Sequence, residues 1–343
     1  MNRKNVLNFV VLTGQSNSCG FETYEPHSVV QKFGNLMVSS IATGNVISAL
    51  TEPCAGFGTP AVTGETPASG ICNTLAALTG EMFATSCSGE GGHGMEAIRK
   101  GGTRFSYAES ISAATAAKAY AISQGKTIEY PFVFLIHGEN DGVFANGNYG
   151  VEVSQMQKDY ATDLMALSGQ TFQPILICSS PTKAEPTLKA GIEFIEKQFE
   201  IARQLNSNVV YIGSLAGYGL APSGAHHLAL AVRRFGEVFG ATAGAIASGN
   251  FKKADFRIKS ITKNDLQVTI TFYHEIVGTS VGFDFYHGST RVPVNKYSIN
   301  KNLITFDLSG PATSWKHAYE RTTDLAILVC GVPLFLPTLK GDL

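Results

Sequence analysis

The chain carries little charge and no excess of either sign. Only 15% of its 343 residues are Asp, Glu, Lys or Arg, and 26 basic residues stand against 27 acidic ones. Duplex nucleic acid and anionic membrane surfaces attract proteins through a basic excess, so the composition argues against both as partners. Long apolar runs are also missing, since no stretch approaches the about 20 residues that a membrane span needs. We therefore expect a soluble protein.

Cysteine patterns and a secretory signal are missing as well. No Cys-x-x-Cys pair occurs, and the scatter of the cysteines predicts buried thiols, with one or two disulfides left open. The amino-terminal apolar run is interrupted by Asn8, and no small-residue cleavage site follows it. We therefore predict no signal peptide and interpret the start as a first strand. The six cysteines are Cys19, Cys54, Cys72, Cys87, Cys178 and Cys330.

Apolar residues make up 44% of the chain, enough for a sizeable core, and the length favours a large unit followed by a smaller one. From Val6 to about Ala247, strand-like runs alternate with helical runs, as is typical of an α/β fold with a mainly parallel sheet. Strands are predicted at Val6 to Leu12, Glu81 to Ser86, Phe132 to His137, Pro174 to Cys178 and Val209 to Gly213. Helices are predicted at Ala68 to Leu78, Tyr107 to Ser123, Gly150 to Leu167, Leu188 to Leu205 and Leu228 to Ala247.

Residues 24–66 do not follow this alternation. They are rich in Gly, Thr, Pro and Ser, with short β-like pieces at Asn35 to Ser40 and Asn45 to Leu50. We interpret them as an elaborate loop at the carboxyl edge of the sheet, where such folds bind ligands.

After Gly249 the pattern changes to short alternating strands with turn signals between them, which predicts a small all-β, sandwich-like domain. We place the boundary near Gly249 to Lys252, with domains at residues 1–249 and 250–343. The aromatic residues of this region are assigned to its core rather than to a sugar-stacking surface. They are Phe283, Phe285, Tyr286 and Trp315. The predicted strands are Arg257 to Thr262, Gln267 to Tyr273, Gly282 to Tyr286 and Asn302 to Asp307.

Ser16, in the sequence Gly14-Gln15-Ser16-Asn17, comes directly after the first predicted strand. A serine on this turn lies at the carboxyl edge of the sheet, where the amides of the next helix can stabilise developing negative charge. Ser16 is therefore a candidate nucleophile. The alternative is that it only caps the following helix.

Two further blocks follow the second and third predicted strands. In the run SGEGGHG, from Ser88 to Gly94, missing side chains let backbone amides approach a substrate oxygen. In HGENDG, from His137 to Gly142, a side-chain amide could donate to an oxyanion. Taken singly, each block is more typical of a flexible or Asx-rich turn.

His226 and His227 open the last predicted helix, in the sequence PSGAHHL, at the same sheet edge as Ser16. A histidine in this position can take the proton of a serine nucleophile. Paired histidines also bind metals, but neighbours at i and i+1 point apart on a helix and no third ligand is suggested nearby. We therefore predict a general base and no metal site.

The four blocks, taken together and in this order, resemble those of the SGNH hydrolases. Within that superfamily they are most similar to the carbohydrate O-acetylesterases related to sialate O-acetylesterase and to the deacetylases of phage tail spikes. The resemblance covers about residues 6–245 and is most specific at GQSN and GEND. It implies a flavodoxin-like three-layer α/β/α fold with five parallel strands. It also implies Ser16 as nucleophile, His226 as base, and an oxyanion hole made by the amides of Ser16 and Gly92 with the side chain of Asn140.

The last block supports His226 over His227, because the positions of Ala231 and Arg233 fit the spacing that the family shows after its histidine. The same block contains a departure. The family usually has an aspartate three residues before the histidine, and this chain has Ser223 there.

Losing the aspartate that orients the histidine costs on the order of 10⁴-fold in turnover in serine proteases. Three hypotheses stay open. The chain has a Ser-His dyad steered by a carbonyl or by Ser223, it borrows a carboxylate from Glu139 or Asp141, or it is a degenerate domain without catalysis. A role of Ser223 as helix cap is compatible with the first two.

The resemblance implies a serine esterase that removes O-acetyl groups from a carbohydrate or polysaccharide through an acyl-enzyme, without metal or organic cofactor. The alternative is a carbohydrate-binding or structural module, such as a receptor-binding part of a phage tail, that keeps the fold without turnover. An O-acetylated glycan is the expected partner, and a homo-oligomer stays open. A virion tail and the cytoplasm are the two expected locations.

Overall fold

The computed structural model describes residues 5–39, 46–54, 64–180, 189–215, 218–249, 258–272, 275–277, 283–317, 326–329, 332–335 and 339–342. Within these ranges, eight strands form one large sheet in the first two thirds of the chain. They are β1 (Val6–Gly14), β2 (Leu36–Ser39), β3 (Val46–Ala49), β4 (Phe83–Cys87), β5 (Thr127–Glu129), β6 (Phe132–Ile136), β7 (Ile175–Ser180) and β8 (Val209–Ser214).

The sheet has the order β3-β2-β4-β1-β6-β7-β8, and β5 pairs with β1. The five strands predicted from the sequence are β4, β1, β6, β7 and β8, and neighbours among them pair in parallel. This is the flavodoxin-like order, so the predicted fold class is confirmed. Strand β1 lies at its centre, and Leu7 and the run from Phe9 to Leu12 are fully buried because both faces of a parallel sheet are covered.

Residues 24–66, predicted to be a loop at the carboxyl edge of the sheet, instead contain two strands of the sheet. Their two β-like pieces, β2 and β3, form an antiparallel hairpin, and β2 pairs in parallel with β4. The pieces therefore extend the sheet instead of lying over its carboxyl edge. Without the hairpin, β4 would be an edge strand with unpaired backbone N–H and C=O groups. Strand β2 pairs with these groups.

Seven helices lie within the described residues, and five of them begin and end close to their predicted bounds. The two short ones, α2 and α4, were not predicted. Helix α1 packs against α7, and α5 packs against α3 and α6, so the sheet lies between two helical layers. The helices are α1 (Pro67–Thr79), α2 (Met95–Ile98), α3 (Ser106–Ser123), α4 (Glu139–Val143), α5 (Tyr149–Ser168), α6 (Lys189–Leu205) and α7 (Ala229–Ala247).

Glycines bring α7 into backbone contact with α1. A Cβ on Gly236 would lie 2.5 Å from the carbonyl oxygen of Pro67, and one on Gly240 would lie 2.4 Å from that of Ile71. Only glycine fits at such separations. This packing holds the middle of α7 against α1, and His226 lies shortly before the first residue of α7.

The carboxyl-terminal strands pair antiparallel and form three sheets within the described residues, ordered β14-β15-β10-β9, β11-β17-β18 and β13-β12-β16-β19. The all-β prediction is confirmed, while the boundary near Gly249 and the sandwich arrangement stay predictions. The strands are β9 (Ile258–Asn264), β10 (Gln267–Phe272), β11 (Glu275–Val277), β12 (Phe283–His287), β13 (Thr290–Val292), β14 (Val294–Asn300), β15 (Leu303–Leu308), β16 (Ser314–His317), β17 (Ala326–Val329), β18 (Val332–Phe335) and β19 (Leu339–Asp342). Parts of the predicted strands, namely Arg257, Tyr273 and Gly282, lie outside the described residues.

Aromatic side chains fill the interior of these sheets. Phe283, Phe285 and Trp315 are buried, and Tyr286 is half-buried. The rings of Phe283 and Trp315 have centroids 5.5 Å apart. The three buried rings therefore belong to a core and are not available as a surface for stacking sugars.

Five cysteines are free and buried, as predicted, and Cys330 lies outside the described residues. None of the helices that the structure describes is long and apolar enough to cross a membrane.

Candidate active site

Ser16 lies on the tight turn that leaves β1 at the carboxyl edge of the sheet. The turn depends on Gly14, whose φ of 139° is unfavourable for any other residue. A Cβ on Gly14 would also lie 1.9 Å from the carbonyl oxygen of Ile136 in β6. Directly after it, Ser16 to Ser18 form a single 3₁₀ turn. The serine is half-buried and faces the end of the sheet.

Gln15 connects this turn to the GEND block. Its backbone N–H donates to Ile136 O at 2.9 Å. Its side-chain Oε1 accepts from the amides of Gly138 at 3.1 Å and Asn140 at 3.4 Å. Since Gln15 is only 3% exposed, water does not compete with these bonds.

The glycine block is joined to the same turn by backbone hydrogen bonds. Glu90 N donates to Gly14 O at 2.8 Å, and Ser88 N donates to Leu12 O at 2.8 Å. The buried carboxylate of Glu90 in turn accepts from Arg104 Nε at 2.5 Å. The blocks that follow β1, β4 and β6 are thus held together by hydrogen bonds, as parallel strands ending at one edge allow.

His226 completes the arrangement from the segment between β8 and α7. Its Nε2 lies 2.9 Å from Ser16 Oγ, which is hydrogen-bond distance. Its ring stacks on Phe21, with centroids 5.5 Å apart and planes 27° apart. The backbone is fixed as well, because His226 O accepts from Ala221 N at 2.8 Å. The structure therefore brings the predicted nucleophile and base together.

His227 points the other way, into the core. It is fully buried against the rings of Tyr218 and Phe235, and its Nδ1 lies 3.3 Å from Gly219 O. Burial lowers the pKa of His227 to about 4, so the imidazole is neutral at pH 7. Of the two adjacent histidines, only His226 contacts Ser16 within the described residues.

The carboxylate beside His226 comes from Glu22, a residue that sequence reasoning missed. Glu22 Oε2 lies 3.2 Å from His226 Nδ1, on the side of the ring away from Ser16. This is an ion-pair distance without hydrogen-bond alignment, since Nδ1 has no well-aligned partner. The Ser223 hydroxyl donates to the same carboxylate oxygen. That hydrogen bond, followed by contact with His226, lowers the pKa of Glu22 below its usual range.

Glu139 and Asp141, the carboxylates considered for this role, have other partners. Glu139 Oε1 accepts from Asn17 Nδ2 at 2.9 Å. Asp141 accepts from the backbone N–H of Met95 at 3.0 Å and so caps the short helix α2. Burial raises the pKa of both carboxyl groups. Within the described residues, neither forms a hydrogen bond or an ion pair with His226, and Glu22 takes that position instead.

The glycine block borders the nucleophile. A Cβ on Gly91 would lie 3.4 Å from Ser16 Cβ and 3.8 Å from Phe21 Cε2, so Gly91 borders the nucleophile directly. Gly92, the donor expected from the resemblance, comes next, with φ of 76° and open space around it. Asn140, the third expected donor, lies on the GEND turn and is half-buried.

A second buried histidine supports the glycine block. His137 Nε2 lies 3.0 Å from His93 O, and its Nδ1 lies 3.1 Å from Tyr149 Oη. Burial lowers the pKa of His137 to about 4, which keeps the ring neutral between these partners. His137 therefore positions the backbone and does not reach Ser16. Metal-binding clusters of three or more His, Cys, Asp or Glu side chains do not occur in the part of the chain that the structure describes.

No protein-family model matches the sequence, and no curated protein sequence matches it. Solved structures share its architecture. A carbohydrate acetylesterase from Xanthomonas citri matches with a TM-score of 0.61 at 13% identity, covering 98% of this chain and 80% of that protein. The chain has an SGNH-hydrolase fold. NanS matches with a TM-score of 0.54 at 14% identity, over 71% of this chain and 98% of its own.

A protein from Arabidopsis thaliana also matches, with a TM-score of 0.52 at 18% identity over 69% of this chain and 97% of that protein. The Xanthomonas citri match extends over nearly the whole chain, including the region of the carboxyl-terminal sheets. At these identities the likeness establishes the fold alone. It confirms the resemblance expected from the four sequence blocks at the level of architecture.

Proposed function

We propose that the chain is a serine esterase in which Ser16 is the nucleophile and His226 its general base. The observation that carries this proposal is the 2.9 Å separation between Ser16 Oγ and His226 Nε2 at the carboxyl edge of the sheet. A serine hydroxyl is a weak nucleophile until a neighbouring base accepts its proton. The alternative of a non-catalytic module rested on the missing aspartate at Ser223, and the carboxylate of Glu22 beside His226 weakens that argument.

In the proposed reaction, Ser16 Oγ bonds to the ester carbonyl carbon while its proton passes to His226 Nε2. The tetrahedral intermediate then collapses, and the leaving alcohol takes the proton back from the imidazolium. Water, deprotonated by the same nitrogen, releases the acid and regenerates the serine. Amides of Ser16 and Gly92 with the side chain of Asn140 are proposed to stabilise the oxyanion. The reaction needs no metal or organic cofactor.

The proposed substrate is an O-acetylated carbohydrate. Its support comes from two sides. The Xanthomonas citri protein that shares the fold over 98% of this chain is a carbohydrate acetylesterase. In addition, a Cβ on Gly91 would lie in ordinary van der Waals contact with both Ser16 and the Phe21 ring, so the space beside the nucleophile admits at least a methyl group. A short acyl group such as acetyl suits this space.

The test compares Ser16→Ala with the wild type on a chromogenic acetyl ester and on an acetylated polysaccharide, with acetate release as readout. We expect the variant to lose about 10³-fold or more in kcat at unchanged stability. Ser123→Ala, on the exposed end of α3, is the matched control. Mass spectrometry of quenched reactions should find the acyl group on the Ser16 peptide, and EDTA should leave the rate unchanged. Activity above about a tenth of wild type in Ser16→Ala would remove this serine from the reaction.

A further inference from the structure

We propose that Glu22 is the positioning carboxylate of His226 and that Ser223 holds Glu22 in place. A pair of residues from two distant segments would thus do the work of the single aspartate expected three positions before the histidine. This inference rests on the proposed esterase function. It adds to that function the origin of the third group at the site.

The contacts of His226 fall on opposite sides of its ring. Nε2 faces Ser16 Oγ at 2.9 Å, and Nδ1 faces Glu22 Oε2 at 3.2 Å. For Nε2 to accept the serine proton it must be unprotonated, so Nδ1 carries the hydrogen, on the side of the ring where the carboxylate lies. A carboxylate there favours this tautomer and stabilises the imidazolium that forms during attack. The loose 3.2 Å contact is of the kind that tightens when substrate binds.

Ser223 acts on Glu22 rather than on the histidine. Its hydroxyl oxygen accepts from Ala225 N at 3.2 Å, and its proton is donated to Glu22 Oε2. The N–H of Ala225 occupies the acceptor side of the hydroxyl, which leaves its proton for the carboxylate. A serine at the position of the expected aspartate therefore has a defined task, although it brings no charge of its own. The two partners are 201 positions apart in the chain.

The backbone at Glu22 is held in an unusual conformation by its neighbours. Its φ of 57° lies in the left-handed region, which is unfavourable for a non-glycine residue. On one side, Phe21 stacks on His226. On the other, Thr23 Oγ1 donates to Glu65 O at 2.8 Å, and Glu65 N donates to Thr23 O at 3.1 Å. Such conformations persist where the surrounding contacts impose them, often at functional sites.

The ionisable groups around His226 leave Glu22 as the one in contact with Nδ1 among the described residues. Glu139 is near enough for its charge to act on the ring, but its carboxylate bonds to Asn17. His227, the adjacent residue, is buried and neutral at pH 7. Glu22 is 32% exposed and His226 17%, so solvent weakens the attraction between the carboxylate and the imidazolium without removing it. We therefore expect an effect smaller than that of a fully buried carboxylate.

The experiment measures kcat and KM on the acetyl ester for Glu22→Gln, Ser223→Ala, Ser223→Asp and the double variant Glu22→Gln with Ser223→Asp. We expect Glu22→Gln to lower kcat by about 10²-fold with little change in KM, because the tautomer and the imidazolium lose their support. Ser223→Ala should show the same changes in weaker form.

The double variant supplies the decisive comparison. An aspartate at position 223 provides the histidine with a carboxylate from the adjacent segment. The double variant should therefore have a kcat at least about tenfold higher than that of Glu22→Gln. Ser223→Asp alone places a like charge beside Glu22 and should not raise kcat. Glu25→Gln is the matched control, because Glu25 is an exposed neighbour with a similar φ of 65°.

Circular dichroism establishes whether each variant is folded. If Glu22→Gln does not fold, the comparison of Ser223→Ala with the wild type takes its place, since that variant keeps the carboxylate. Activity of Glu22→Gln within threefold of wild type, or a change in KM alone, would overturn this inference while Ser16→Ala stays inactive. Full activity of Ser16→Ala would instead overturn the proposed function itself.

Discussion

The buried carboxyl group of Glu52 is expected to make stability depend on pH near neutrality. Glu52 is 5% exposed and joins two segments of the chain. Its Oε2 accepts from the amides of Cys54 at 2.7 Å and Thr66 at 3.0 Å. Its Oε1 accepts from Thr66 Oγ1 and from the amide of Ser69, both at 3.0 Å. Burial outweighs these donors, with a smaller contribution from nearby Glu65, and raises the pKa of Glu52 to about 7.

The sign and size of the effect follow from this pKa. The folded state binds the proton more tightly than the unfolded chain, whose glutamate has a pKa near 4.5. The stabilisation from protonated Glu52 is therefore present in full below pH 4.5 and is lost as the pH rises through about 7. The difference of about 2.5 pH units corresponds to about 3 kcal/mol in the free energy of unfolding.

Buried histidines act in the opposite direction. The pKa of His137 and of His227 is about 4 instead of 6.5, so their contribution is present above pH 6.5 and is lost as the pH falls through about 4. The free energy of unfolding of the wild type as a function of pH is therefore a sum of opposing contributions. The quantity to measure is the difference in unfolding free energy between wild type and Glu52→Gln, from urea titrations at pH values between 4.5 and 8.

A glutamine keeps the shape of the protonated side chain and removes its titration. It shifts stability by a constant amount, because its NH₂ group must face N–H donors, but that amount does not depend on pH. The stability of wild type relative to Glu52→Gln should fall by about 3 kcal/mol from pH 4.5 to pH 8. The control Glu25→Gln, at an exposed position, should give a flat difference. A flat difference for Glu52→Gln as well would show that the folded protein does not raise this pKa.

Two further predictions concern the active site. His226→Ala should lower kcat by orders of magnitude without changing the melting temperature. His227→Ala should reduce kcat far less, but it should lower the free energy of unfolding by about 2 kcal/mol or more in denaturant titrations, because it leaves a cavity at a buried site. The opposite outcome would exchange the roles of the two residues. Gly91→Ala should fold normally yet hydrolyse an acetyl ester more slowly, because its methyl group fills the space beside Ser16. Gly14→Ala should yield little folded protein, as its Cβ would lie 1.9 Å from a carbonyl oxygen of β6. Equal yields and rates for the two glycine variants would contradict this distinction.

The parallel core of the sheet was predictable because its strands are continuous apolar runs between helical segments, and buried strands need little else to be recognised. The hairpin β2–β3 was not assigned to the sheet because its position depends on pairing with β4, which no local pattern encodes. Helix α2 is a similar case. It is four residues long, and its first N–H is capped by Asp141, which lies 46 positions away.

The residues of the site differ in the same way in how far they could be predicted. Ser16 follows a strand end, His226 precedes a helix, and both have local motifs, so the sequence was enough to predict that they meet. Glu22 has no such motif, and its distance from Ser223 in the chain hides the contact. The one available signal was indirect. Ser223 lacks the carboxylate that the resemblance calls for, which predicted a substitute without saying where it comes from.

Gln15 has a consequence for how such a site can change over generations. Its side chain bonds to the turn of Asn140 as a strand neighbour would, beyond the point where the sheet ends. The conformation of this one side chain therefore sets the distance between the turn of the nucleophile and the turn of Asn140. Mutations in outer loops cannot increase this distance without breaking those hydrogen bonds. A larger acyl group would have to be accommodated on the side of Gly91 and Phe21, so in variants selected for new esters we expect changes there and an unchanged Gln15.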